Sequence, residues 1–391
     1  MRKVYMDHGA GMPLDPIVFD AMKPYFFEKY GNPSSSHSFG NSANSALTAS
    51  REKIAELVAA EKPEEVIFTS GGTESNNLAI KGVAFRNREK GSHIITTAIE
   101  HISVINICKY LQKQGFEVSF VPVNKQGVVN LEKIKDAVTD KTVLISVQYA
   151  NGEIGTIQPI KEIGKIAREN NIIFHVDAVA TAGQVSINVQ EKNIDLLSLS
   201  SNDMYGPKGI GALYIRKGTK IQPVNQGGGQ ERGLRSGTEN IPGIVGMGKA
   251  AEIAQKKMEK EGTRLTGLRD KLIQGVLEKV EYSFLNGHPV KRLPNNANLR
   301  FSYIEGESLI LGLDMLGIQV SSGSACTSKT LEPSHVLLAI GLSHEEAHGS
   351  LVFTMGKQNS EEDMNYVVEV VPNVVKKLRV LSPLTPKEIL M

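Results

Sequence analysis

Cys326 stands in the run SSGSACTSKTLEPSH (residues 321–335), among Ser, Gly and Ala with almost nothing large to bury it. A structural cysteine prefers burial among apolar neighbours, as Cys108 has in VINICKYL. Cys326 therefore reads as a reactive thiol on an exposed loop. In SGGTESNN (70–77), the glycines and Thr73 at a helix start leave backbone N–H groups and a hydroxyl free to hold a phosphate. The plain alternative is a Gly-rich turn with a Thr N-cap. In HVDAVATAG (175–183), Asp177 ends an apolar strand, where a carboxylate can pair with a protonated ring nitrogen of the kind pyridoxal phosphate carries. The alternative there is a helix N-cap. His101, in TTAIEHISV, can stack on a ring or move a proton near neutral pH, or simply satisfy local structure. The loop GGGQERGLRSGTENIPG (227–243) offers Arg232, Arg235 and Thr238 to an anion, with a subunit boundary as one setting. Finally, SLSSNDMYGPKGIGALYIR (198–216) has the layout of a cofactor-lysine turn, yet it reads Ser-Asn-Asp-Met. The nearest lysine, Lys208, lies beyond Gly206 and Pro207.

The elements that must position these residues alternate. EVIFT, HIITT, FEVSFV, TVLISVQ, IIFHVD, DLLSLS and GALYI are short strands rich in β-branched residues. Between them, TESNNLAIKGVAFRNREKG, SVINICKYLQKQG and PIKEIGKIARENN have helical periodicity. Strands alternating with helices of that length imply a mostly parallel sheet covered on both faces. A long charged amphipathic run, residues 244–280, leads into shorter strands and helices that form a smaller α+β unit. The expected division is 1–20 packing back on the small domain, 21–259 as the large cofactor-binding domain, and 260–391 as the small domain carrying the Cys326 loop.

Composition narrows the function. Apolar residues make up 40% and charged residues 22% of 391, and the net charge is +2. Nothing there favours a nucleic acid or an anionic membrane as partner. No stretch approaches the ~18 apolar residues of a membrane span, and the start MRKVYMDHGAG lacks a signal-peptide core. Two cysteines make no disulfide framework. A cytoplasmic location is expected.

The segments YMDHGAGMPLDP, GNPSSSHSFG, SGGTESNNLAIKG, EHISV, NGEIGTIQPI, VDAVATAGQ, YGPKGIGALYIR, GGGQERGLRSGTENIPGIVGMGKA and SSGSACTSKTLEPSHVL together resemble, in order, the cysteine desulfurases of the NifS/IscS type. The resemblance implies a fold-type-I pyridoxal-phosphate (PLP)-dependent transferase of the α/β class. Its large domain holds a mostly parallel seven-stranded sheet beside a small α+β domain, and the protein is normally a homodimer. It implies L-cysteine as substrate, a persulfide on Cys326, and delivery of sulfur to an IscU-like iron–sulfur scaffold or to tRNA thiolation. By the same match, Gly72, Thr73, Ser200 and Thr238 hold the phosphate, with Thr238 reaching from the other subunit. Asn202 joins the cofactor set, His101 stacks on the ring, and Asp177 pairs its nitrogen.

Five positions depart from the family pattern, all in the pocket. Asp203 replaces the Schiff-base lysine. Gly152 and Ala180 replace an Asn and a Gln that contact the ring hydroxyl. Val352 replaces the Arg that grips the substrate carboxylate, and Lys357 stands for a second Arg. Two functions follow from that pattern. In one, PLP is held without a covalent bond, Asp203 takes the Cα proton, and Cys326 carries sulfur. In the other, the chain is a catalytically impaired dimeric partner of an IscU-like scaffold. There Cys326 supplies a thiolate to sulfur or to a shared [2Fe-2S] cluster, since soft thiolates suit iron–sulfur sites. A different amino-acid substrate is a weaker third reading, because it leaves the thiol loop without a purpose.

Overall fold

The computed structural model describes residues 2–323 and 333–389. Among these residues the strands are β1 (Val4–Tyr5), β2 (Val66–Thr69), β3 (His93–Thr97), β4 (Glu117–Val121), β5 (Thr142–Gln148) and β6 (Ile173–Asp177). They continue as β7 (Leu196–Ser200), β8 (Gly211–Ile215), β9 (Ser283–Asn286), β10 (Asn296–Phe301), β11 (Ile318–Gln319) and β12 (Ser350–Thr354). Seven of them form one sheet in the order β2-β8-β7-β6-β5-β3-β4. Only β8 runs antiparallel to its neighbours, β2 and β7; the other pairings are parallel.

Every residue of β5, TVLISVQ, is buried. A strand buried on both faces is a continuous apolar run rather than an alternating one, which is why these segments carry so few charges. The side chains still alternate between two cores. Leu144 and Leu196 face one core with Ile67, Val83 and Leu111, while Ile145, Val147, Leu197 and Leu199 face the other with Ile54, Phe174 and Met247. The chain leaves β3 toward β4 on one side and resumes at β5 on the other, so the winding reverses between β3 and β5. In open α/β sheets the crevice beyond the carboxyl ends at such a reversal receives ligands. His101 follows β3 and Asn151 follows β5, while Asp177 and Ser200 end β6 and β7.

The charged amphipathic run forms one helix, Ile241–Lys279, of 39 residues. Its first half gives Met247 and Ala251 to the sheet's core. Its second half gives Leu265 and Leu272 to a separate core, with Val4, Met6, Phe301, Phe353 and Val367. That second core lies on the antiparallel sheet β12-β10-β9, and β1 pairs in parallel with β11 beside it. No helix among the described residues is long and apolar enough to cross a membrane.

Candidate active site

At the carboxyl ends of the strands a cavity of about 360 Å³ opens between the two cores. Its wall includes His101, Gly152, Ala180, Asp203 and Val352, and also Asp7, Glu100, Glu153, Asn295, Ser334 and His335. Four of the five pocket departures, Gly152, Ala180, Asp203 and Val352, therefore share one wall. The fifth, Lys357, does not. Its Nζ donates to Asp15 Oδ2 at 2.7 Å and lies 4.1 Å over the Tyr205 ring. Lys208 is not in the lining either; its Nζ donates to the carbonyl of Met12, a lining residue, at 3.1 Å. No lysine or arginine stands in the described lining.

The turn after β7 explains where Asp203 sits. Ser200 ends the strand, and Asn202–Met204 make a single tight helical turn closed by Tyr205 in the left-handed region (φ 60°). Burial pushes the Asp203 pKa up to about 7, with Asp177 nearby adding to the rise and the polar side chains of Ser200 and Asn202 opposing it. Oδ1 of Asn202 and Oγ of Ser201 are buried without a partner.

Asp177, 6% exposed, is held from two sides. Oδ2 accepts from Asn76 Nδ2 at 2.7 Å and Oδ1 accepts from the Val179 N–H at 3.0 Å. The second bond closes a turn, not a helix N-terminus. Asn76 in turn donates to Ser103 Oγ, which lies 2.8 Å from His101 Nδ1, so helix Gly72–Arg86 and helix Ile102–Lys113 are coupled through the site. His101 caps the latter helix, its Nδ1 accepting from the Ser103 N–H, and is exposed.

Helix Gly72–Arg86 begins at Gly71 (φ 149°) with no side-chain cap, so Thr73 is not an N-cap. The N–H groups of Gly72, Thr73 and Glu74 have no acceptor within the helix. Beyond Gly71 the space is open, whereas a methyl on Gly72 would collide with Cγ2 of Val179. Glu74, in that first turn, accepts from Arg235 Nε at 2.9 Å and from the Ser70 N–H at 2.7 Å, tying the 227–243 loop to the helix start. That loop is strained. Glu231 (φ 47°) and Arg232 (φ 59°) are both left-handed, and Glu231 is held there by Arg51 at 2.7 Å and the Phe68 N–H. Thr238, farther along, is exposed in the single chain. Gly72, Thr73, Asp177, Ser200, Asn202 and Thr238 do not line the cavity itself. All but Thr238 lie on the strand ends, the helix start and the turn after β7.

Sequence reasoning missed Glu100 and Glu153. Glu100 accepts from Thr97 Oγ1 at 2.6 Å and from the Gln148 N–H at 2.9 Å, and burial pushes its pKa up to about 8. Glu153 accepts from Ser334 Oγ at 2.8 Å and burial raises its pKa to about 7. Both adjoin residues that were singled out, in IEH and NGEIG, but type and spacing do not reveal that a carboxylate is buried. Cys326, the sulfur-carrying and metal-ligating candidate, lies outside the described residues. Gly323 and Ser334, close to the ends of residues 324–332, both line the cavity and both approach Glu153.

The Aminotransferase class-V family profile matches residues 4–367. "Cysteine desulfurase IscS 1" of Archaeoglobus fulgidus is 56% identical over 380 residues, covering 97% of this chain and 99% of that protein. The chain belongs to the class-V aminotransferases, among the cysteine desulfurases of the IscS type. Among solved structures, a NifS-like protein superposes with a TM-score of 0.90 at 38% identity, covering 96% of this chain and all of its own. "SspA in complex with cysteine" superposes with a TM-score of 0.80 at 36% identity, covering 90% and 99%. The family implies PLP. The residues present fit its ring nitrogen (Asp177) and its phosphate (the uncapped start of helix Gly72–Arg86 and Ser200). Among the described cavity residues they offer no amine for covalent attachment.

Proposed function

We propose that this chain mobilises sulfur from L-cysteine as a persulfide on Cys326 for iron–sulfur cluster assembly, with PLP held non-covalently. The observation that carries this is Asp203 in the cavity wall beside His101 and Ala180, with residues 324–332 flanked by Gly323 and Ser334 of the same wall. When bound, PLP supplies an aldehyde for the substrate amine and an electron-accepting ring. Asp177 holds the ring-nitrogen proton. The free N–H groups at Gly72 and Thr73, with Ser200, Asn202 and the Thr238 of a second subunit, hold the phosphate end, and His101 covers the ring. The Asp203 carboxylate takes the Cα proton. The Cys326 thiolate bonds to the substrate sulfur as the Cβ–S bond breaks, Cβ gains a proton, and alanine leaves. The working unit is a homodimer. Its contact is on the exposed apolar residues Ile17, Phe19, Phe26, Phe27, Tyr30 and Phe39.

A second reading is favoured by the absence of lysine and arginine from the described lining. In it the chain is a catalytically impaired partner of an IscU-like scaffold, and Cys326 supplies a thiolate to sulfur or to a [2Fe-2S] cluster. Purified protein given PLP, L-cysteine and a reductant separates the two by sulfide and alanine release. Turnover that falls roughly 100-fold in Asp203→Ala and disappears in Cys326→Ser supports the first. No turnover, with scaffold binding retained, supports the second.

A further inference from the structure

Asp177 and His101 are joined from behind by two side chains. Asn76, 1% exposed in helix Gly72–Arg86, donates from Nδ2 to Asp177 Oδ2 at 2.7 Å and to Ser103 Oγ at 3.0 Å. Its Oδ1 is buried with no partner. Turning the amide over would set that oxygen against the oxygens of Asp177, so the first bond fixes the direction of the second. Ser103 Oγ, having accepted from Asn76, keeps its own hydrogen to give, and His101 Nδ1 lies 2.8 Å away. The Ser103 backbone N–H, 3.2 Å from the same Nδ1, can only donate.

A ring nitrogen that accepts carries no proton, so the neutral imidazole holds its proton on Nε2. Nδ1 is turned to the start of helix Ile102–Lys113, and Nε2 is the nitrogen left for the cavity that His101 lines. There it is a hydrogen-bond donor, in a described lining without lysine or arginine. We propose that Asn76 and Ser103 are positioning residues acting as one unit: they orient the Asp177 carboxylate and, from the same amide, hold the His101 proton on Nε2. One buried side chain then sets both the partner of the cofactor's ring nitrogen and the group over its ring face. This rests on the desulfurase reading for its place in the reaction, while the bonds themselves stand without it.

Long-range proton–nitrogen NMR spectra of the full-length protein with nitrogen-labelled histidine read the tautomer without turnover, at a pH about 2 units above the ordinary ~6.5 of an imidazole. The His101 signals are those lost in His101→Gln. A bare Nδ1 and a protonated Nε2 are expected. Ser103→Ala is expected to raise the ratio of Nδ1–H to Nε2–H about 5-fold, the worth of one neutral hydrogen bond, and Ser103→Thr to keep the original ratio. Asn76→Leu is expected to raise that ratio similarly and also to weaken PLP binding about 10-fold or more, since Asp177 loses a charge-assisted partner. Ser103→Ala leaves that partner in place and is expected to weaken PLP binding less. Should Asn76→Leu fail to fold, the two Ser103 variants decide alone. A protonated Nδ1 in the unmodified protein, or a ratio unmoved by Ser103→Ala, overturns the assignment. PLP binding weakened as much by Ser103→Ala as by Asn76→Leu overturns the shared role of Asn76. Sulfide release from L-cysteine separates the two levels. The expected tautomers without turnover keep this unit and end the desulfurase reading, and turnover with the ratio unmoved does the reverse.

Discussion

Asp203 and Glu100 set how the site responds to pH, and they do so at different steps. As the acceptor of the Cα proton, Asp203 must be ionised. With its pKa raised to about 7, desulfuration under saturating PLP is expected to rise with pH through about 7 and then level, a limb that Asp203→Ala removes. Glu100 acts on stability. Its folded pKa of about 8 lies above its ordinary 4.5, so between those values the folded chain binds the extra proton. Stability contributed by that proton is present below pH 4.5 and is lost as pH rises toward 8, at up to about 1.4 kcal/mol per unit. Glu100→Gln is expected to flatten that part of the denaturation-midpoint profile, and an unchanged slope would contradict the burial of its charge. The positions of Asp177 and His101 at strand ends were legible in the sequence from the strand pattern, and the lysine's absence stood out only against the family pattern. Glu100 and Glu153 were not legible, since only the packed structure reveals which carboxyl groups are buried.

At the level of elements, the helix start at Gly71–Gly72 depends on how closely it meets the turn after β6. A Cβ at position 72 has nowhere to go but into Val179. Gly72→Ala is expected to cost about 1–3 kcal/mol by overpacking and to weaken PLP binding, and Val179→Ala added to it is expected to restore most of both. Urea denaturation and a PLP titration on the two single variants and the double check this, and additive losses would show that the two residues are not in contact. The strand–helix alternation was readable because buried parallel strands are uninterrupted apolar runs. The extent of helix Ile241–Lys279 was less so, because its apolar positions serve two different cores.

For the whole molecule, the two cores meet at the cavity and share the long helix, so loss of either core should open the site. Phe26→Ser with Phe27→Ser is expected to convert a dimer into a monomer by sedimentation, with weaker PLP binding because Thr238 of a second subunit is withdrawn. A dimer that survives both changes places the contact elsewhere. The central claim is that this IscS-type cleft holds its cofactor without a covalent bond. Native mass spectrometry of the PLP-loaded protein, followed by borohydride treatment and denaturing mass measurement, tests it most directly. The expected result is one PLP per chain in the native spectrum, lost in Asp177→Ala, and a denatured chain of unchanged mass after borohydride. A pyridoxyl group fixed to Lys208 or any other lysine, or a native spectrum with no cofactor bound, would contradict it.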